Sequence, residues 1–208
     1  MKPGRAFGNG LGMFGWSRSV FFMAEFYAIR NESTQYMELD LEILDVANSA
    51  PEDIDPDSIF NFSIENLPMS TWWKSPDTTF VGSGKRQIKI PDIAKWLDGT
   101  LILSPKAHRY LAELLLPLGE LLPVHVSGET YYIFNCQVFG VDEESFSQKN
   151  EYEQVECIAF SNETTSPVFK SKFEGGFSLF CTDLFKDAVN SFDLKGILFD
   201  KNLIEVFE

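Results

Sequence analysis

The stretch from Leu101 to Leu115 constrains the fold more than any other part of the chain. Its first three residues are apolar and predict a short buried strand. Ser104 is a residue type that accepts hydrogen bonds from free N–H groups at a helix start, and Pro105 suits the first helical position. Apolar side chains then recur at helical spacing: Ala107, Tyr110, Leu111, Leu114 and Leu115. The sequence therefore predicts a strand that leads directly into an amphipathic helix over about residues 105–116.

A second unit of the same kind lies near the C-terminus. Residues 178–180 predict a strand, Thr182 is an N-cap residue type, and the charge of Asp183 favours a helix N-terminus. The apolar face of a helix over residues 183–192 follows, formed by Phe185, Ala188, Val189 and Phe192. An offset of 78 residues places Ser104 on Thr182. The two units together suggest a pseudo-repeat.

Most other apolar segments alternate with polar residues and predict strands. We expect strands over 25–30, 36–44, 121–126, 130–139, 196–199 and 203–207, with a loop around Pro51 and Pro56. The third and fourth of these flank a short turn and predict a β-hairpin. Helices and strands occur in patches without strict alternation, which indicates an α+β fold with mixed or antiparallel sheets and two short amphipathic helices.

Composition divides the chain into three parts. Residues 1–22 carry three bases, no acid and five glycines, and we interpret them as a flexible tail upstream of a start at Met23. Residues 23–95 predict a variable, β-rich N-terminal part, and residues 96–208 predict an α+β domain. A chain of 208 residues buries enough surface to fold without a disulfide or metal.

The chain is strongly acidic, with 31 acidic against 17 basic residues and a formal net charge of −14. Nucleic-acid binding requires clustered Lys and Arg that neutralise phosphates, so this charge argues against it. The charge also argues against docking on an anionic membrane surface. A basic macromolecular partner is compatible, because an acidic surface attracts it and speeds encounter.

Cysteine and histidine do not indicate a catalytic or metal site. Cys136, Cys157 and Cys181 each lie in an apolar segment without a Cys-x-x-Cys pair. We expect three reduced thiols in the core of a cytoplasmic protein. His108 falls off the apolar face of its helix and His125 lies between two valines, so both are expected to face solvent. We predict no catalytic, cofactor-binding or metal-binding residue.

Two charged clusters have simple structural interpretations. Asp53, Asp55 and Asp57 resemble the start of an EF-hand calcium loop, which also requires Gly at its sixth and Glu at its twelfth position. Ser and Ile occupy those positions, so we expect a solvated acidic loop. The basic patch of Lys85, Arg86 and Lys89 is expected to pair with the acidic N-terminal segment.

The order of elements from residue 96 to residue 200 resembles immunity family eleven of bacterial polymorphic toxin systems. The residues that carry the resemblance are Ser104, Leu122-Pro123-Val124, Tyr132 to Asn135, Val141-Asp142, Cys181-Thr182-Asp183, Phe185-Lys186, Ala188-Val189 and Gly196-Ile197-Leu198-Phe199. No single motif among them is specific; their order and spacing make the match. The resemblance covers about half of the chain.

The resemblance implies a small cytosolic protein that binds and blocks a cognate toxin, without catalysis and without a cofactor. Many toxins have basic active surfaces, which an acidic inhibitor can cover. We predict the partner-binding residues from their crowding in acidic loops: Asp53, Asp55, Asp57, Glu143 and Glu144. Two alternatives are a hydrolase with a dispersed Asp/Glu site and a non-catalytic scaffold subunit. The sequence leaves the oligomeric state open.

Overall fold

The computed structural model describes residues 25–82 and 84–204, and within them the chain has an α+β fold. The predicted tail over residues 1–22 lies outside this range. The helices are α1 (Ile43–Ser49), α2 (Pro56–Phe60), α3 (Pro105–Leu115) and α4 (Asp183–Ser191). The strands are β1 (Phe26–Asn31), β2 (Glu38–Leu39), β3 (Asp77–Thr78), β4 (Phe80–Val81), β5 (Ile93–Lys95), β6 (Thr100–Leu103), β7 (Gly119–Val126), β8 (Glu129–Cys136), β9 (Gln148–Lys149), β10 (Val155–Cys157), β11 (Val168–Phe169), β12 (Phe180–Thr182) and β13 (Ile197–Asp200).

Each of the two amphipathic helices packs on its own sheet, and the two sheets share the same local topology. Their strand orders are β3-β7-β8-β6-β5 and β11-β12-β1-β13. Strand β8 pairs antiparallel with both β6 and β7, so these two strands run parallel and α3 joins them. Strand β1 likewise pairs antiparallel with β12 and β13, which α4 joins. Each unit is a split β-α-β arrangement, and this shared topology agrees with the suggested pseudo-repeat.

The strand that splits each unit comes from a different place in the chain. Strand β8 follows β7 through a tight turn in which Ser127 and Gly128 both have positive φ, as a type I′ hairpin turn requires. Strand β1 instead enters from the N-terminal end. Strands β3 and β5 also belong to the larger sheet, so the boundary predicted at residues 95/96 does not separate two sheets.

The two helices bury most of the predicted faces, whereas Tyr110 and Phe192 are 42% and 40% exposed, and the helices differ at their N-caps. Helix α3 buries Ala107, Leu111 and Leu115, and α4 buries Phe185 and Val189, in one core cluster shared with both sheets. The Ser104 hydroxyl accepts a hydrogen bond from the Ala107 N–H at 3.1 Å, as predicted. Thr182 occupies the N-cap position of α4, but its buried hydroxyl has no hydrogen-bond partner among the described residues.

The region around residues 36–60 differs from the prediction. Only Glu38 and Leu39 form a strand, and helix α1 begins at Ile43. A capping box explains this start, because the Glu42 N–H donates to the Asp45 carboxylate at 2.9 Å and the Glu42 side chain accepts from the Asp45 N–H. Helix α2 replaces part of the predicted loop.

The predicted closing strands are only partly present. Strand β13 confirms the segment 196–199. Leu203 and Ile204 belong to no strand, and the rest of the predicted strand over 203–207 lies outside the described residues.

Candidate functional site

An open groove lies beside strand β10 and the last described residues of the chain. It consists of two cavities of about 780 and 620 Å³, which adjoin because both are lined by Ile158 and Leu203. Val155 and Ile204 add apolar surface to the larger cavity, and the smaller one is lined by aromatic side chains from strand β1 and residue 160. We call these two cavities together the acidic groove.

Carboxylates surround this apolar surface. Asp98, Glu153 and Glu174 line the larger cavity, and Glu143 and Glu163 line the smaller one. Among the described residues that line either cavity, none is a lysine, arginine or histidine. The Glu153 carboxylate lies 3.7 Å from the ammonium nitrogen of Lys149, and the Glu153 side chain is 86% exposed. The groove therefore combines an apolar floor with a negative rim.

Loops and turns hold these carboxylates in place. The Glu143 N–H donates to the Ala159 carbonyl at 2.9 Å, which fixes the chain beside β10. Glu153 has a φ of 62° in a turn in which the Asn150 side chain accepts two backbone N–H bonds. The Glu174 carboxylate accepts from the Ser178 N–H. Local contacts therefore hold the backbone at Glu143 and Glu153 and the carboxylate of Glu174.

Exposed aromatic rings border the groove. Phe146 is 68% exposed and Phe177 is 47% exposed, and both contribute to the lining. Tyr152, next to Glu153 in the chain, is 75% exposed. Large aromatic side chains that gain burial on association dominate many protein–protein interfaces. The groove thus has the apolar, aromatic and charged components of a protein-binding surface.

The structure does not bring the five predicted partner-binding acids together. Glu143 lines the acidic groove, and Glu144 is exposed beside it. Asp53, Asp55 and Asp57 are exposed around the start of α2, where the Asp55 carboxylate accepts from the Asp57 N–H at 3.1 Å. Helix α2 packs in a different core cluster from the groove floor. The two groups therefore form two separate candidate surfaces.

Sequence reasoning missed four of the five groove carboxylates: Asp98, Glu153, Glu163 and Glu174. They come from four separate loops and form no motif. The local signal that was available is the high density of glutamate between residues 143 and 163, next to exposed aromatic residues.

The cysteines are two buried thiols and one exposed thiol. Cys136 and Cys181 lie in the core, as predicted, and burial raises the pKa of Cys136 to about 11 and that of Cys181 further above its usual range. A thiol with a raised pKa is a poor nucleophile. The prediction that Cys157 is a core residue is wrong, because β10 belongs to a peripheral two-stranded sheet that leaves it exposed.

The two histidines have different surroundings. His125 is exposed, as predicted. The prediction for His108 is wrong, because its ring is partly buried and stacks on Tyr132 with centroids 3.7 Å apart. Desolvation lowers the pKa of His108. Within the described part of the chain, no group of histidine, cysteine or acidic residues has the arrangement of a metal site.

A polar cluster at Tyr27 has a structural explanation. The Lys186 ammonium donates to the Tyr27 hydroxyl at 2.5 Å and to the Asp183 carboxylate at 2.6 Å. Desolvation and the hydrogen bond to Glu25 raise the pKa of Tyr27, so the phenol keeps its proton at neutral pH. The hydrogen bonds to Asp183 and Tyr27 raise the pKa of Lys186. These hydrogen bonds connect α4 to β1, and the raised pKa values keep Tyr27 and Lys186 protonated at neutral pH.

No protein-family model matches this chain, and neither does any curated protein. Over residues 25–82 and 84–204, no helix has both the length and the apolar character needed to cross a membrane.

Proposed function

We propose that the protein is a cytoplasmic bacterial immunity protein, which binds a cognate toxin and neutralises it by covering its active surface, without catalysis. The observation that carries this proposal is the acidic groove, with five carboxylates around an apolar floor. The resemblance to immunity family eleven supports the same function. A toxin surface with lysine or arginine beside an apolar side chain would complement this groove in charge and hydrophobicity.

Charge and apolar contact would contribute to different steps of binding. Complementary charges speed the encounter and exclude wrong partners, whereas burial of aromatic anchors slows dissociation. Phe146 and Phe177 are the anchors that the groove offers. The charged lining residues among those described are all acidic and would attract a basic partner, which would compete with Lys149 for the Glu153 carboxylate.

Co-expression with the protein encoded immediately upstream of the gene tests this proposal. We expect the upstream protein alone to stop growth and the pair to restore it, and we expect the two proteins to co-purify. Failure of rescue by a folded protein would contradict the immunity function.

Charge reversal then locates the binding surface. Glu153→Lys with Glu163→Lys should weaken toxin binding at least about tenfold and reduce its salt dependence. Glu113→Lys, an exposed reversal on α3, is the matched control and should bind normally. Reversal of Asp53, Asp55 and Asp57 tests the other acidic surface. If only this reversal weakens binding, the α2 surface replaces the groove as the binding site.

A hydrolase is the second candidate, because Asp98, Glu153 and Glu174 line one cavity. A hydrolase would turn over a substrate. Glu153→Gln should then abolish this turnover and leave toxin binding unchanged. The scaffold alternative predicts a permanent partner that co-purifies in the absence of any toxin.

A further inference from the structure

A second surface has the opposite charge to the groove. Residues 84–90 form an exposed loop that carries Lys85, Arg86 and Lys89, and we call it the basic loop. Ile88 is 71% exposed and Ile90 is 55% exposed. The loop therefore presents two large apolar side chains among three positive charges, and neither its exposed isoleucines nor its charges serve the proposed toxin site.

The backbone of this loop is fixed, although its side chains project outward. The N–H groups of Ile88 and Lys89 donate to the Gln35 carbonyl at 3.1 and 3.0 Å, and the Met37 N–H donates to the Lys89 carbonyl at 2.9 Å. The Lys89 ammonium binds the Gln35 amide oxygen at 2.6 Å. This contact is with an amide, whereas the sequence indicated pairing with a carboxylate. Because the Gln35 amide is neutral, this contact does not neutralise the charge of Lys89.

We propose that the basic loop of one copy of this chain docks into the acidic groove of a second copy. The basic loop and the acidic groove are complementary in both charge and hydrophobicity. Lysine and arginine face the groove carboxylates, and Ile88 meets the apolar floor at Ile158 and Leu203. The docking deepens the proposed function, on which it rests, because a toxin and a second copy compete for one groove.

The overall charge sets the conditions for this contact. Two copies, each with a formal charge of −14, repel one another at low ionic strength. At about 0.15 M salt the Debye length falls to about 8 Å, which screens distant charges more than charges in contact. Docking of one patch into a different patch is head-to-tail, so it produces chains or rings and needs no two-fold symmetry. We expect association in the range of about 10–100 µM, typical of a small interface.

Sedimentation velocity of the full chain at physiological salt is the test. The wild-type protein should show a weight-average mass that rises with concentration. Lys85→Glu with Arg86→Glu, Glu153→Lys with Glu163→Lys, and Ile88→Ser should each weaken self-association at least about tenfold. Arg109→Glu and Glu113→Lys, exposed reversals on α3, are matched controls and should associate like wild type. Circular dichroism confirms that each variant is folded.

Mixing the two double variants provides the decisive measurement. The loop variant keeps an unchanged groove and the groove variant keeps an unchanged loop, so the mixture restores one wild-type contact and mixed association should return. A wild-type protein that stays monomeric up to about 1 mM overturns the proposal. So does equal weakening by the α3 controls, or a mixture that fails to associate. Growth rescue by the monomeric loop variant separates the two proposals, because toxin binding then survives without self-association.

Discussion

The ammonium group of Lys170 donates a hydrogen bond to the backbone carbonyl oxygen of Ser63, a residue 107 positions earlier in the chain. Lys170 is fully buried, and its nitrogen also lies 5.0 Å from the centroid of the Phe139 ring. The contact joins the segment after α2 to the segment after β11. Desolvation lowers the pKa of Lys170 to about 8.

The low pKa of Lys170 predicts an unusual rise of stability with pH. Between about pH 8 and 10.5 the unfolded chain holds the lysine proton that the folded protein has released. The free energy of unfolding therefore increases with pH in this window, by at most about 1.4 kcal/mol per pH unit from this group. Urea unfolding of wild type and Lys170→Met, measured at several pH values, isolates this contribution as a difference.

Lys172→Met is the control for the preceding measurement, because Lys172 is exposed and carries a charge close to the same Phe139 ring. It reports the effect of removing a charge beside the same ring from an exposed position. A Lys170→Met difference that stays constant from pH 8 to 10.5 would show that the buried amine keeps its proton.

The two N-cap positions should respond differently to loss of the hydroxyl. Ser104→Ala removes the hydrogen bond to the Ala107 N–H and should lower the free energy of unfolding by about 1 kcal/mol. Thr182→Val replaces a buried hydroxyl that has no partner among the described residues, so it should be neutral or stabilising. Chemical denaturation of both variants compares the two halves of the pseudo-repeat directly. Equal losses would contradict the difference seen at the caps.

Helices α3 and α4 are coupled by an aromatic contact. The rings of Tyr110 and Phe192 stack with centroids 4.2 Å apart and an interplanar angle of 9°. A double-mutant cycle with Tyr110→Ala and Phe192→Ala should give a coupling energy of about 0.5–1.5 kcal/mol. Tyr152→Ala, in an exposed turn, is a control and should be additive with either change. Additivity of the Tyr110 and Phe192 changes would refute the coupling.

The three thiols should separate into two kinetic classes. A thiol reagent should modify one site quickly in the native protein, and mass spectrometry of the digest should place the label at Cys157. Cys136 and Cys181 should react only after unfolding, because they are buried and burial raises their pKa. In Cys157→Ser the fast phase should disappear. Rapid labelling of either core thiol would indicate local opening of the sheets.

The sequence predicted those parts of the fold that depend on local patterns. The helix start at Ser104, the apolar faces of α3 and α4, and the hairpin of β7 and β8 depend on residues close in the chain. The error at residues 36–44 arose because an alternating pattern and a capping box overlap there, and the reciprocal bonds of Glu42 and Asp45 favour the helix.

The candidate site was predicted only in part. Glu143 was predicted as a partner-binding residue, and it lines the groove. Glu163 lines the same cavity and was not predicted. Asp98 and Glu174 are far apart in the sequence and have no shared motif, so no periodicity relates them. Their meeting in one cavity follows from the packing of β10 and the chain segments around it.

The sequence by itself determined the α+β class, the two strand–helix units and the acidic character of the chain, because spacing, capping residues and charge are local or summed properties. The tertiary structure alone decided that β1 splits one unit as β8 splits the other. It also decided that Lys170 is buried and that five carboxylates surround one apolar groove. These features depend on contacts between residues distant in sequence, which form only when both sheets pack around their shared core.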